Sequence, residues 1–75
     1  MTERIKKILS IVFVIDESQI NDFSSPENVE NWDSLGHLNL IVALEEEFEL
    51  KFTDDEISEM LNFKLIEEIL KDKVK

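Results

Sequence analysis

The sequence contains no cysteine, and its 75 residues include only one glycine, one proline and one histidine. Without cysteine the chain can form neither a disulfide nor a thiolate metal site, and it supplies no thiol of its own. A single histidine likewise excludes a metal site built from several histidines. The scarcity of Gly and Pro argues against long irregular loops and repeated tight turns. We therefore expect compact helices.

Long apolar runs are also missing, since none reaches the ~18 residues of a membrane span. The first residues, "MTERIKKILSIVFVID", lack the small-residue cleavage site of a secretory leader and have the spacing of an amphipathic helix. Apolar residues make up 43% of the chain and charged residues 35%, which is typical of a folded globular protein. We expect one domain over residues 1–75, located in the cytoplasm.

Positive charge is absent from the stretch between Ile8 and Leu50, which contains no Lys or Arg. Ten of the eighteen acids lie there, and the other eight are matched by the eight bases, so this segment holds the whole net charge of -10. Such a field repels nucleic acid and anionic membranes. It either serves solubility alone or speeds encounter with basic protein surfaces.

Apolar spacing predicts four helices, over residues 3–13, 34–48, 53 to about 61, and 63–73. The expected fold is therefore all-α, a small bundle of three longer helices and one short helix with a long first loop. Helix one buries a face of Ile5, Ile8, Leu9 and Val12, and helix four buries Leu65, Ile66, Ile69 and Leu70.

Capping residues predict where the helices begin, and the long first loop contains a further turn. Thr2 and Asn62 are predicted N-caps, and Thr53 forms a capping box with Glu56. Residues 15–33 form a connection long enough to be functional or to pack as an element of its own. A short turn is expected at residues 24–27, and the loop should be anchored by four apolar residues, Ile15, Ile20, Phe23 and Val29.

Helix two carries more apolar surface than one face requires. One stripe consists of Leu40, Ile41, Leu44 and Phe48, and a second, offset stripe consists of Leu35, Leu38 and Val42. If the other three helices bury both stripes, this is the central helix of the bundle. If only the first stripe is core, the second is an exposed apolar strip rimmed by acids, which suits docking onto a basic partner.

Two residues that could each cap helix two stand side by side, Asp33 and Ser34. One cap is enough, so the Ser34 hydroxyl could be displayed for chemistry. A hydrolase would pair Ser34 with His37 as its base, but it would also need an orienting third group, an oxyanion hole and a water-poor pocket. We expect His37 to be exposed and Trp32 to pack over the loop and fix how the chain enters the helix.

The segment "DSLGHLNLIVALEEEFELKFTDDEI" resembles the acyl carrier proteins. The likeness centres on Asp33-Ser34-Leu35, and it continues through "ALEEEF" to "TDDE" at the start of helix three. The tripeptide alone means little, but the tripeptide followed by "VALEEEF" at this spacing, in an acidic chain of this length, is a strong signal. The likeness extends over essentially the whole chain.

This resemblance implies a carrier, not an enzyme, with a 4′-phosphopantetheine arm on Ser34 that brings the missing thiol. Asp33 would be its motif companion. The partners implied are a phosphopantetheinyl transferase, which uses coenzyme A and Mg²⁺, and enzymes with basic docking surfaces that load and process the acyl, aminoacyl or polyketide group. The carrier itself needs no metal, and we expect a monomer. The resemblance assigns partner binding to Leu35, Leu38, Val42, Glu45 and Glu46.

The chain also departs from the fatty-acid type of carrier. Gly36-His37-Leu38-Asn39 stands where that type has acidic or hydroxyl residues, and Trp32 replaces a small residue. These features look more like those of carriers in specialised pathways, such as polyketide, nonribosomal peptide or polysaccharide synthesis. Residues 36–39 are where the choice of partner would differ from that of the fatty-acid type. The alternative is an unmodified acidic helical adaptor that binds a basic protein with the same face.

Overall fold

The structure, a computed structural model, describes residues 1–74, which form four α-helices and one short 3₁₀ turn. In chain order these are α1 (Thr2–Phe13), the 3₁₀ turn (Glu17–Gln19), α2 (Ser34–Phe48), α3 (Asp54–Glu59) and α4 (Phe63–Lys73). No strand occurs in this part of the chain. The predicted all-α bundle is confirmed, and the predicted bounds of α2 and α4 are those observed.

The start and end of α1 differ from the capping predicted for it. Met1 occupies the N-cap position and provides no side-chain cap, so the prediction for Thr2 is wrong. Thr2 lies inside the first turn, and its hydroxyl donates instead to the carboxylate of Glu67 on α4. The helix ends at Phe13 because Val14 turns into the left-handed region, with φ of 56°.

The long first loop packs through some of its apolar residues. Ile20 and Val29 are buried and Ile15 is half-buried, as predicted, but Phe23 is 81% exposed and is no anchor. The Phe23 N–H donates to Asn21 Oδ1 (2.8 Å), within a turn that leaves the ring outside the core. The turn predicted at residues 24–27 is present, with the Ser25 hydroxyl accepting from the Glu27 N–H.

Two helices with side-chain caps, the short α3 and the longer α4, complete the bundle. The capping box of Thr53 and Glu56 begins α3, and the Asn62 side chain accepts from the Leu65 N–H at the start of α4, both as predicted. The end of α3 was predicted near Leu61 but lies at Glu59. There the backbone of Met60 leaves the helical region so that its side chain can enter the core.

One apolar core joins the four helices and the loop. Most predicted core positions are buried in it; Ile8, Val12, Phe48 and Ile69 are half-buried and packed against it, and Leu65 is half-buried. Its members are Ile5, Leu9, Phe13, Ile20, Val29, Trp32, Leu40, Ile41, Leu44, Phe52, Met60, Phe63, Ile66 and Leu70. α2 therefore packs on this core through Leu40, Ile41 and Leu44, and its first residue, Ser34, is exposed at the surface of the bundle.

Candidate functional site at the start of the second helix

Asp33 alone caps α2. Its backbone is extended, and its carboxylate accepts a hydrogen bond from the Gly36 N–H at 2.8 Å. Ser34 is the first residue of the helix and is exposed, and within residues 1–74 its hydroxyl makes no hydrogen bond. The structure thus separates the two residues that looked equivalent in sequence. Asp33 satisfies the helix end, which leaves the Ser34 hydroxyl free on a rigid helical turn.

Gly36 permits the loop to cross directly over the first turn of α2. A β-carbon at this position would stand 2.1 Å from the carbonyl oxygen of Asn31 and 3.2 Å from the ring of Phe13. The loop is fixed there because the Asn31 side-chain amide donates to the carbonyl oxygen of Phe13 at 2.7 Å. Gly36 is therefore buried by the loop, and it offers no surface to a partner.

Trp32 and His37 connect the loop, where it crosses the start of α2, to α3. Trp32 is buried and stacks on Phe13, with ring centroids 5.0 Å apart, as predicted for a residue that fixes the helix entry. Its indole N–H donates to His37 Nδ1 at 2.9 Å, and His37 Nε2 lies 3.0 Å from the carbonyl oxygen of Ile57. The prediction that His37 is exposed is wrong, because it is half-buried and both ring nitrogens are engaged.

These contacts leave no Ser-His pair for hydrolysis. Both His37 nitrogens are directed at Trp32 and Ile57, so neither is available to take a proton from Ser34. This arrangement could not be predicted from the sequence, since Trp32, His37 and Ile57 follow no common helical spacing. The run 36–39 was expected to influence the choice of partner. Gly36 is buried and His37 half-buried, so only Leu38 and Asn39 of this run are exposed.

The second apolar stripe of α2 lies on the surface. The exposed fractions are 67% for Leu35, 57% for Leu38 and 53% for Val42, while Leu40, Ile41 and Leu44 on the other side are buried. Of the two arrangements left open by the sequence, the exposed strip is the one observed. We call Leu35, Leu38 and Val42 the outer face of α2.

The two acids predicted beside the outer face differ in their surroundings. Glu46 is exposed. Glu45 is half-buried, and its carboxylate accepts from the Phe52 N–H at 3.0 Å while Lys51 Nζ lies 3.9 Å away. Glu45 therefore also holds the segment that leads into α3, which the sequence did not reveal.

An open groove of about 700 Å³ lies between the start of α2 and the α3 segment. Its lining is mostly apolar and includes Trp32, Ser34, His37, Leu38, Ile57 and Leu61. The Ser34 hydroxyl thus stands beside an apolar recess and next to the outer face. The sequence left open whether the chain has such a recess.

No group of three or more His, Asp and Glu side chains is placed to hold a metal ion among residues 1–74. None of the helices found there combines the length and the apolar character that crossing a membrane requires.

Comparison with known proteins shows a likeness to solved structures but to no family model. No protein-family model matches the chain. Among solved structures, it is similar to the solution NMR structure of a holo acyl carrier protein from Geobacter metallireducens, with a TM-score of 0.87 and 29% sequence identity. The match covers 97% of this chain and 84% of that one. Acyl carrier proteins are carriers and not enzymes, which agrees with the non-enzymatic interpretation of this chain. The all-α fold and the resemblance to the acyl carrier proteins are thereby confirmed.

Proposed function

We propose that this chain carries acyl intermediates as thioesters on a 4′-phosphopantetheine arm attached to Ser34. The observation that carries the proposal is the division of roles at the start of α2, where Asp33 caps the helix and the Ser34 hydroxyl is exposed and unbonded. The similar solved protein is described as holo, the form that bears its prosthetic group. The arm would supply the thiol that a chain without cysteine lacks.

The helix start suits a phosphate group. Asp33 takes the Gly36 N–H, so the N–H groups of the first two helical residues remain directed outward. Together with the positive end of the helix dipole, they favour a phosphodiester on the Ser34 oxygen. Attachment would join this oxygen to the pantetheine-bearing phosphate of coenzyme A, with loss of the serine proton and release of adenosine bisphosphate.

The outer face of α2 is the proposed docking surface for the partner enzymes. Leu35, Leu38 and Val42 are more than half exposed, and α2 carries three glutamates near its C-terminal end and no Lys or Arg. Apolar contact at the centre and charge at the rim suit a basic partner, and charge attraction chiefly speeds encounter. The phosphopantetheinyl transferase and the loading and processing enzymes are the expected partners, with Glu46 the more accessible of the two predicted acids.

The groove beside Ser34 is the proposed contact surface for apolar cargo. Its volume of about 700 Å³ lies in the range of small-molecule pockets, and its lining is mostly apolar. The departures from the fatty-acid type do not by themselves fix a specialised pathway, since Trp32, Gly36 and His37 have internal packing roles. Fatty-acid-like and specialised synthesis both fit this chain.

The adaptor alternative uses the same outer face but leaves Ser34 unmodified. Under that alternative, Ser34→Ala changes nothing but helix stability, by less than about 1 kcal/mol, because Asp33 is the cap. Binding to a basic partner would then survive the substitution unchanged.

The test is intact-mass spectrometry after incubation with coenzyme A, Mg²⁺ and a broad-specificity phosphopantetheinyl transferase. We expect the wild-type chain to gain the mass of one phosphopantetheine and the Ser34→Ala variant to gain none. Ser58→Ala, which changes a second serine that lines the groove, is the matched control and should be modified like the wild type. Absence of any mass gain with several transferases, or modification of Ser34→Ala, would contradict the proposal.

A further inference from the structure

His37 connects three parts of the molecule at one point. It lies on the first turns of α2, it accepts from the indole N–H of Trp32 in the loop, and its Nε2 faces the carbonyl oxygen of Ile57 on α3. The Trp32 and His37 ring centroids are 6.2 Å apart and their planes are inclined by 16°, so the two rings meet edge to edge. His37 is therefore the polar link between the loop, α2 and α3.

The partners of His37 fix its protonation and tautomer. An indole nitrogen only donates and a carbonyl oxygen only accepts. Nδ1 must therefore be unprotonated toward Trp32, and Nε2 must carry the proton toward Ile57. A second proton on Nδ1 would set two N–H donors against each other at 2.9 Å, and the link to Trp32 would break.

α3 is the element most dependent on such links. It has six residues and none of them is buried, whereas α1, α2 and α4 each bury three or more. Apart from the half-buried Ile57 and Glu56, its side chains are exposed. Besides its apolar contact through Ile57, α3 is held by the ion pair of Glu56 with Lys73 and by the hydrogen bond from His37. Elements with few buried apolar contacts open at low free energy.

We propose that His37, in the neutral form protonated on Nε2, is a positioning residue that clasps α3 to the start of α2, and that release of this clasp widens the groove beside Ser34. The groove is bounded by His37 and Leu38 on one side and by Ile57, Ser58 and Leu61 on the other. A movement of α3 therefore changes the space next to the Ser34 hydroxyl. The inference goes beyond attachment at Ser34 and holds whether or not Ser34 is modified, because every contact it uses lies within the bare chain.

Few other charged groups share this environment. Among the groove residues, Asp33 is the one titratable side chain besides His37, and it is engaged by the Gly36 N–H. On α3, the acid one turn before Ile57 is Asp54, which is exposed. From α1, the uncharged ring of Phe13 packs against Trp32.

The experiment uses the emission of Trp32, the single tryptophan in a chain without tyrosine. Wild type, His37→Gln and His37→Leu are compared at about pH 8. Glutamine keeps one acceptor and one donor, and leucine keeps neither. Asn39→Leu, an exposed position on the same helix, is the control for adding a leucine.

We expect the Trp32 emission of His37→Leu to differ from that of the wild type without loss of helical circular dichroism, because the indole N–H loses its acceptor. The emission of His37→Gln should stay close to that of the wild type. At about pH 8, amide exchange in α3 should be about fivefold to tenfold faster in His37→Leu than in wild type, the factor that loss of one hydrogen bond implies. His37→Gln should restore slow exchange, and Asn39→Leu should leave it unchanged.

Three results would overturn the proposal. They are an unchanged Trp32 emission in a folded His37→Leu, an emission change in His37→Gln as large as that in His37→Leu, and unchanged α3 exchange in a folded His37→Leu. If His37→Leu does not fold, His37→Ala, which also removes both ring nitrogens, takes its place. None of these measurements uses a transferase, so a failure here is distinct from a failure of attachment at Ser34.

Discussion

The two sides of α2 carry similar aliphatic side chains in opposite surroundings. The inner face, which we define as Gly36, Leu40, Ile41 and Leu44, is buried against α1, the loop and the rest of the core. The outer face of Leu35, Leu38 and Val42 is more than half exposed. At ~100° per residue, the two sets lie on opposite sides of the helix.

This difference distinguishes the leucines that stabilise the fold by burial from those that do not. Leucine on the inner face contributes through burial, which stabilises by roughly 25 cal/mol per Å² of apolar surface. Leucine on the outer face keeps most of its surface in water, so the fold gains little from its being apolar. This exposure is the observation on which the proposed docking surface rests.

The largest expected effect is a difference in stability between the two faces. Leu44→Ala should lower the free energy of unfolding by about 3 kcal/mol, since Leu44 is fully buried and the vacated space would not close. Leu38→Ala, the matched change on the outer face, should change it by no more than about 0.5 kcal/mol. Urea unfolding followed by circular dichroism measures both, and equal losses would show that the two faces are not distinct.

Gly36 gives the next largest effect, where the inner face meets the loop. Alanine is the better helix former, but its β-carbon would stand 2.1 Å from the Asn31 carbonyl oxygen, so the loop must move. We expect Gly36→Ala to destabilise the chain by about 2 kcal/mol net. Asn39→Ala is the exposed control on the same helix, and a stabilised Gly36→Ala in the same urea assay would contradict the close approach.

The outer face has its own test, which rests on the proposed function. Leu38→Ala should lower kcat/KM for transfer of phosphopantetheine by about tenfold, equivalent to about 1.4 kcal/mol of lost contact. Ile11→Ala on α1 is the control, because Ile11 is also an exposed aliphatic residue, at 68%. Equal rates for both variants and the wild type would remove the outer face from the docking surface.

The smallest expected effect is a change in the pH dependence of stability, and it concerns α3, which has no buried residue. The hydrogen bond from Lys73, together with that from the Thr53 backbone N–H, lowers the pKa of Glu56 below its ordinary value of 4.5. Since the folded pKa lies below the unfolded one, the contribution of Glu56 to stability is present above pH 4.5 and is lost as the pH falls through the folded value.

Unfolding by urea at a series of pH values measures this contribution. Glu56→Gln should lose less stability on acidification than the wild type, because the amide does not titrate. Glu59→Gln, an exposed position on the same helix, should keep the wild-type pH dependence. An identical pH dependence in Glu56→Gln and wild type would show that the ion pair with Lys73 does not stabilise α3.

The sequence predicted those features that depend on neighbours in the chain. The bounds of α2 and α4, the capping box at Thr53 and the cap at Asn62 all follow from local spacing and side-chain chemistry. Local rules failed at Thr2, whose hydroxyl is drawn to Glu67, sixty-five residues away in the chain. They failed at Phe23 because hydrogen bonds within the loop, and not apolarity, set the direction of its side chain.

At the candidate site, too, the features set by local sequence were predictable, and the contacts between different elements were not. The exposed Ser34 follows from its place at a helix start, and the separation of its role from that of Asp33 required the observed bond to Gly36. The contacts of His37 with Trp32 and Ile57 join residues from three elements that no periodic pattern connects. The reason for the single glycine likewise appears only when the loop is seen to cross the helix.

The most direct test of the account is to locate the modification in the wild-type chain. After transferase treatment, tandem mass spectrometry of proteolytic peptides should find one phosphopantetheine, on Ser34. The five other serines, Ser10, Ser18, Ser24, Ser25 and Ser58, provide internal controls within the same molecule. Phosphopantetheine on any of these serines, or on none of the six, would contradict the central claim that the start of α2 displays Ser34 for attachment.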